Sequence, residues 1–218
     1  MDLLEFARGP ALQWGAYILV AGSIWRIVGI WLLKEKPDFS EPRKRGGLGG
    51  ALKVIYTRAF TADPFKAATL YPKILAYVQH IGLFAVVFLF VPHIMFFQGF
   101  LGFGWPGLPN SVIYVLGVAA VVGSFALLVR RVTHPVLRLI SNFDDYFSGF
   151  VAVFPFLTGL FIPVRPSFIR YEDLLAIHIL SVVLLMVWLP FGKLGHTFLV
   201  FITRGTTGMV FERRGAKT

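Results

Sequence analysis

Two apolar stretches decide the fold of this chain: ILAYVQHIGLFAVVFLFVPHIMFF at residues 74–97 and LLAIHILSVVLLMVWLPFGKLGH at residues 174–196. Both exceed the ~18 residues that indicate a membrane-spanning helix. Each carries two histidines, and together they hold four of the five in the chain: His80, His93, His178 and His196. Because a polar side chain is costly inside a bilayer, an intramembrane histidine indicates a functional site.

The composition is that of an integral membrane protein. Of the 218 residues, 56% are hydrophobic and only 15% are charged, whereas a soluble domain carries about 25% charged residues. The N-terminus, MDLLEFARGP, has no basic region before a short apolar core, so we expect no cleaved signal peptide. There is no cysteine, which excludes an iron–sulfur cluster held by this chain, a covalent c-type haem and a thiolate zinc site.

The hydropathy pattern predicts an all-α membrane protein of one domain with five transmembrane helices. These spans are about 11–33, 73–97, 111–129, 147–163 and 174–196. Lysine and arginine concentrate after the first, third and fifth spans, and this alternation indicates cytoplasmic loops. We therefore expect an external N-terminus, a cytoplasmic C-terminus and an inner (cytoplasmic) membrane location. The net charge of +10 is explained by these loops, and we expect no nucleic-acid partner.

The cytoplasmic loop 34–72 is the largest predicted piece outside the bilayer. Its first part, KEKPDFSEPRKRGGLGG, is rich in polar and turn-forming residues and is predicted to be irregular. Its second part, ALKVIYTRAFTADPFKAATLY, mixes apolar and basic residues and could form an interfacial amphipathic helix. Such a helix would contact lipid headgroups or dock a soluble partner subunit.

The four intramembrane histidines are predicted to form two pairs at two membrane depths. The second span runs outward and the fifth runs inward. This places His80 level with His196 on the inner side and His93 level with His178 on the outer side. Each pair could bind one haem iron from both faces, which gives a dihaem helix bundle with two b-type haems. Bis-histidine ligation leaves no open position on the iron, so such haems transfer electrons. The alternative is that these histidines only form hydrogen bonds to neighbouring helices.

The spacing of the histidines supports this interpretation in part. His178 and His196 are 18 residues apart, which is five full turns of a continuous helix, so they would share a face. His80 and His93 are 13 residues apart and would diverge by ~140° on an ideal helix. Pro92 precedes His93 and could kink the helix there. The fifth histidine, His134, lies in the basic loop and is predicted to be solvated.

Other polar residues lie at the same depths as these pairs. Arg26 is predicted to be level with the inner haem, where it could pair with a haem propionate or extend to the cytoplasmic interface. Four acidic residues lie near span ends and could relay protons, although favourable charges at helix starts are the commoner explanation: Asp144, Asp145, Glu172 and Asp173.

The chain resembles the membrane cytochrome b family that includes the gamma subunit of respiratory nitrate reductase. The resemblance covers nearly the whole chain. It rests on five spans with an external N-terminus, AGSIWR at 21–26, the histidine pair of span two, and the pair of span five with LPFGKLGH at 189–196. The tail RGTTGMVFERRGAKT is similar to that of wider relatives, whose partners are heterodisulfide-reductase-like iron–sulfur proteins or hydrogenases.

The resemblance implies a function as well as a fold. It implies two b-type haems held by the four histidines, a quinol site at the outer haem, and a cytoplasmic iron–sulfur or catalytic partner at the inner haem. The quinone would bind near the external loops, by Gln98, Arg165 and Arg170. We therefore expect an electron-transfer subunit of a quinol- or quinone-linked oxidoreductase complex, with no catalytic residue of its own. A cofactor-free membrane anchor and a transporter are the competing classes.

Overall fold

The computed structural model describes residues 2–33, 39–60 and 65–216, and within them the chain is helical and has no strands. A short helix and a π-helical turn, α1 (Leu3–Phe6) and Ala7–Ala11, run into the first long helix. In chain order the further helices are α2 (Leu12–Trp31), α3 (Leu48–Thr57), α4 (Lys66–Leu89), α5 (Val91–Leu101), α6 (Asn110–Thr133), α7 (Pro135–Ile140), α8 (Phe143–Phe161), α9 (Tyr171–Trp188) and α10 (His196–Arg214).

Four helical segments of the described chain are long and apolar enough to cross a bilayer. They are Leu3–Trp31, Lys66–Leu89, Asn110–Thr133 and Tyr171–Trp188. These helices indicate a multi-pass membrane protein in a lipid bilayer. The predicted span 147–163 falls on α8, which is helical but does not belong to these four. The fifth span and the orientation of the bundle therefore stay predictions.

The long helices pack in the order α4, α6, α8, α9, α2. Small residues allow the closest approaches. A side-chain carbon on Gly82 of α4 would lie 2.5 Å from the Leu116 carbonyl oxygen of α6. A side-chain carbon on Gly22 of α2 would lie 2.8 Å from the Pro190 ring. In the described part of the chain, the backbones of α4 and α9 do not pack tightly on each other.

The predicted second span is two helices, and the prediction of one helix over 73–97 is wrong. α4 ends at Leu89 because Phe90 has an extended backbone (φ −83°, ψ 124°). Pro92 lies in the first turn of α5 and has no N–H to donate to the carbonyl of Phe88. The indole nitrogen of Trp105 donates to that carbonyl instead, at 2.5 Å.

The predicted fifth span also ends early, at Trp188. Pro190, which is fully buried, cannot continue the helix. A turn and a 3₁₀ segment, Lys193–Gly195, follow, and His196 begins α10. The prediction that His178 and His196 lie five turns apart on one helix is therefore wrong.

The described chain contains a further helix pair, α3 and α10, that the sequence did not reveal as such. The predicted amphipathic helix over 51–71 is instead α3 and the first turns of α4, with 61–64 outside the described residues, as is 34–38 of the same loop. α3 packs on α10, where a side-chain carbon on Gly208 would lie 2.2 Å from the Gly50 carbonyl oxygen. Glu212 of α10 accepts hydrogen bonds from the backbone N–H groups of Gly47 (2.9 Å) and Gly50 (3.0 Å).

Candidate functional site: two histidine pairs

His80 and His196, the pair predicted for the inner side and here called the inner pair, come from two separate helices. His80 lies in α4, and His196 is the first residue of α10. Their ring centres are 6.0 Å apart and the ring planes make an angle of 62°. After the break at Trp188, the turn at Pro190 packs on Gly22 of α2, and His196 still lies beside His80. The predicted proximity of the two side chains is therefore observed, by a different route from the predicted straight helix.

The outer pair is more regular. His93 lies in α5 and His178 in α9, with ring centres 6.2 Å apart and ring planes within 5° of parallel. The break at Phe90 separates the direction of His93 from that of α4. The ~140° divergence expected for a continuous helix therefore does not apply to His80 and His93.

Each of the four rings has its Nδ1 atom within hydrogen-bond distance of an oxygen. The distances are 2.7 Å from His80 to the Ala76 carbonyl, 2.7 Å from His93 to the Val86 carbonyl, 3.0 Å from His178 to the Thr158 hydroxyl and 3.0 Å from His196 to the Lys193 carbonyl. When Nδ1–H donates, the tautomer leaves a lone pair on Nε2. Metal-binding histidines have this arrangement, in which the second nitrogen donates to an oxygen.

The partner of His93 comes from the helix break. The last four carbonyls of a helix have no partner within it. Val86 lies in the last turn of α4, so its carbonyl is available to the ring of His93 in the next helix. The helix break at Phe90 therefore also fixes the orientation of the His93 ring.

The partner of His178 belongs to a buried hydroxyl cluster between α8 and α9. The Thr158 hydroxyl lies 3.1 Å from that of Ser181, and Ser181 donates to the carbonyl of His178 at 2.6 Å. Gly159 lets α8 approach the His178 ring, since a side-chain carbon there would lie 3.1 Å from its Cε1 atom. Sequence reasoning missed Thr158, Gly159 and Ser181. The only signal was small and polar residues within apolar helices, as in FLTGLF.

The spacing of both pairs fits an iron held between two imidazoles. Bonds from a metal to an imidazole nitrogen are about 2 Å long, so two such bonds on opposite sides of one ion place the ring centres about 6 Å apart. Among the described residues there is no group of three or more His, Cys, Asp or Glu side chains that could hold a metal. A centre with two protein ligands fits a porphyrin, which supplies four nitrogens of its own.

Arg26 lies on the same face of α2 as Gly22. It is half-buried in α2, one turn beyond Gly22, which contacts the Pro190 turn. Residues four apart lie on the same helix face. His134, by contrast, is an exposed residue between α6 and α7, as predicted.

The residues predicted for the quinone site have separate neighbours in the structure. The Arg165 guanidinium lies 5.3 Å from the centre of the Tyr171 ring. Arg170 forms two hydrogen bonds with Asp173, at 2.7 and 2.9 Å. Gln98, in α5, lies against the loop at Gly104.

The acidic residues at the start of α8 interact with other helices as well as with the N-terminus of their own helix. Asp145 forms a capping box with Asn142 and also pairs with Arg131, at 2.8 Å, and with Lys193. Burial of this carboxyl favours its neutral form, but the hydrogen bonds from Lys193 and Asn142 and the Arg131 charge outweigh that effect. The pKa of Asp145 therefore lies below its ordinary value.

The described fold defines a multi-pass helical membrane protein with two facing histidine pairs. A protein of Nitratidesulfovibrio vulgaris strain Hildenborough, whose name states no function, is 29% identical over an alignment of 229 positions, which covers 99% of this chain and 97% of that protein. No family model matches the chain. No solved structure matches it either.

Proposed function

We propose that this protein is a dihaem cytochrome b subunit that passes electrons between quinone at the outer side of the inner membrane and a cytoplasmic iron–sulfur or catalytic partner. One observation carries the proposal: four imidazoles form two facing pairs, and every Nδ1 has an oxygen partner. Histidines that only stabilise helix packing have no reason to meet in pairs at a spacing of about 6 Å.

The residues for each cofactor follow from the pairs. His93 and His178 would hold the outer b-type haem, and His80 and His196 the inner one. When bound, the haems would supply one-electron transfer between the two ends of the bundle, without an open position for oxygen. Arg26 would offer a positive charge to a propionate of the inner haem.

The ends of the bundle would bind the two exchange partners. Near the outer pair, Gln98, Arg165 and Arg170 would contact a quinol. Its oxidation to quinone releases two protons and two electrons. At the inner end, the basic helix pair of α3 and α10 would face the cytoplasmic subunit. Lys53 in α3, Arg58 at the C-terminal cap of α3, and Arg204 and Arg213 in α10 would attract an acidic surface.

The first test is the absorption spectrum of the purified full-length protein, expressed with haem supply. We expect a reduced-minus-oxidised spectrum of b type and two haems per chain by pyridine haemochrome assay. The control is His134→Ala, which removes the one histidine outside the pairs and should keep both haems. A folded, colourless protein would refute the proposal and favour the anchor or transporter class.

A further inference from the structure

A network of charged and polar side chains connects the start of α8 to the inner histidine pair. Asp145 has a side chain that is only 7% exposed and is paired with Arg131 of α6 and with Lys193 of the 3₁₀ segment. Asp144, its neighbour, accepts a hydrogen bond from the backbone N–H of Lys193 at 3.1 Å. Lys193 is therefore held by its side chain and by its backbone.

The network continues from Lys193 to His196. The carbonyl of Lys193 lies 3.0 Å from Nδ1 of His196. It is thus the oxygen that sets the tautomer and direction of that ring. His196 needs such a support more than the other three histidines, since it is exposed and follows a turn.

A second branch supports the same turn from within the bundle. The Ser148 hydroxyl donates to Asp144 at 2.6 Å and accepts from the indole nitrogen of Trp188 at 2.9 Å. Trp188 is the last residue of α9, and its indole closely covers Gly192, where a side-chain carbon would lie 2.3 Å from the Nε1 atom. The turn between α9 and α10 is therefore fastened at both ends to the first turns of α8.

We propose that Asp144 and Asp145 are positioning residues for the inner iron ligand His196, and that they act through Lys193. This inference rests on the proposed dihaem function. Partly exposed ion pairs contribute little net stability, but these two share the buried carboxyl of Asp145 and can fix one conformation. Here the fixed conformation is the turn that places the ring of His196 beside that of His80. The side chains of Asp144 and Asp145 would not touch the haem themselves.

The test compares Asp145→Asn and Asp144→Asn with the unchanged protein. Loss of a supporting partner of a metal-binding histidine weakens the site about 10–100-fold, and we expect about tenfold weaker retention of the inner haem only. We also expect the reduced inner haem to bind carbon monoxide, because a displaced His196 opens a coordination position. The outer haem serves as an internal measure of folding in the same sample.

Two further variants make the test specific. Lys193→Met should reproduce the weaker retention of the inner haem. Lys193→Arg, which keeps the charge beside Asp145, should retain most of that haem. Asp2→Asn is the matched control, because Asp2 also forms a capping box, with Glu5 in α1, far along the chain from this turn. It should leave both haems unchanged.

The outcomes separate this inference from the proposed function. An unchanged protein without haem would refute both. A second outcome is that the unchanged protein holds two haems and that Asp144→Asn and Asp145→Asn retain both and react with carbon monoxide as the unchanged protein does. This outcome would refute the positioning role alone. Equal loss of both haems would show that the network stabilises the whole bundle and would also refute it.

Discussion

The two histidine pairs have nearly the same ring spacing but are built in different ways. In the outer pair the rings are parallel within 5°, and in the inner pair they are inclined by 62°. The outer His178 is oriented by a hydroxyl inside the packed helices, whereas the inner His196 is oriented by a backbone carbonyl in a turn held by charged residues. The difference indicates that the outer site depends on helix packing and the inner site on the conformation of one turn.

The test with the largest expected effect removes one histidine at a time, from one pair or the other. His178→Ala should abolish the outer haem and quinol-linked reduction, and His196→Ala should abolish the inner haem alone. The physical reason is that each variant removes an axial ligand from one iron and leaves the other pair intact. Haem content and spectra of the purified variants measure this. Loss of the inner haem in His178→Ala would show that the pairing is wrong.

The single-haem variants also isolate the ring angles. The ferric electron paramagnetic resonance spectrum of a bis-histidine haem depends on the angle between its ligand planes. The outer haem, left in His196→Ala, should give the rhombic signal of parallel planes. The inner haem, left in His178→Ala, should give a more anisotropic signal. Identical signals would contradict the two geometries.

A smaller change should disturb the outer pair through packing. Gly159→Ala adds a carbon 3.1 Å from Cε1 and 3.4 Å from Nδ1 of His178. Overpacking costs about 1–3 kcal/mol, so we expect partial loss of the outer haem and a lower unfolding temperature. The matched control is Gly149→Ala in the same helix, where an added carbon meets nothing within 4 Å. That variant should stabilise the helix by about 0.5–1 kcal/mol and keep both haems, and equal effects of the two substitutions would contradict this account.

A still smaller change should alter the outer haem without removing it. Thr158→Val deletes the hydroxyl that accepts from His178, which makes the imidazole a weaker donor to ferric iron. We expect the midpoint potential of the outer haem to rise and that of the inner haem to stay constant in a redox titration. Thr158→Ser keeps a hydroxyl and should behave like the unchanged protein. A shift of the inner potential alone would contradict the assignment of Thr158 to the outer site.

The proximity of both pairs was predictable from the sequence, because apolar length and the distribution of basic residues predict antiparallel helices with histidines at matching depths. The path of the backbone between the two histidines of each predicted span was not predictable. Pro92 and Pro190 marked possible kinks, but whether a helix bends or ends depends on what then binds the free carbonyls. Trp105 does so for Phe88, and this is a contact between residues distant in the chain.

The partners of the histidines were still harder to predict. Asp144 and Asp145 were expected to act as helix-start charges, and the capping box of Asp145 confirms this part. Their second role depends on Lys193, which is nearly 50 residues later in the chain. Pattern and spacing predict local structure, whereas the orientation of a ring depends on such distant contacts.

The smallest expected effect concerns pH and follows from the charges around Asp145. The groups that face it are Arg131 of α6, Lys193 of the 3₁₀ segment, the backbone of Asn142 and the adjacent Asp144. Since the folded pKa of Asp145 lies below its ordinary value, which is about 3.9, its ionised form stabilises the fold above that pH. This contribution is lost as the pH falls through the folded pKa.

Between about pH 5 and 8 the inner haem should therefore keep a constant spectrum and should not bind carbon monoxide. As the pH falls through the folded pKa of Asp145, which lies below its ordinary value, the inner haem should become reactive toward carbon monoxide before the outer haem does, because protonated Asp145 no longer holds Lys193. Stopped-flow acidification of detergent-solubilised protein, with carbon monoxide as the probe, measures the order of the two events. Asp145→Asn should already show the acid behaviour at neutral pH. Simultaneous release of both haems in acid would contradict the view that the inner site depends on this turn.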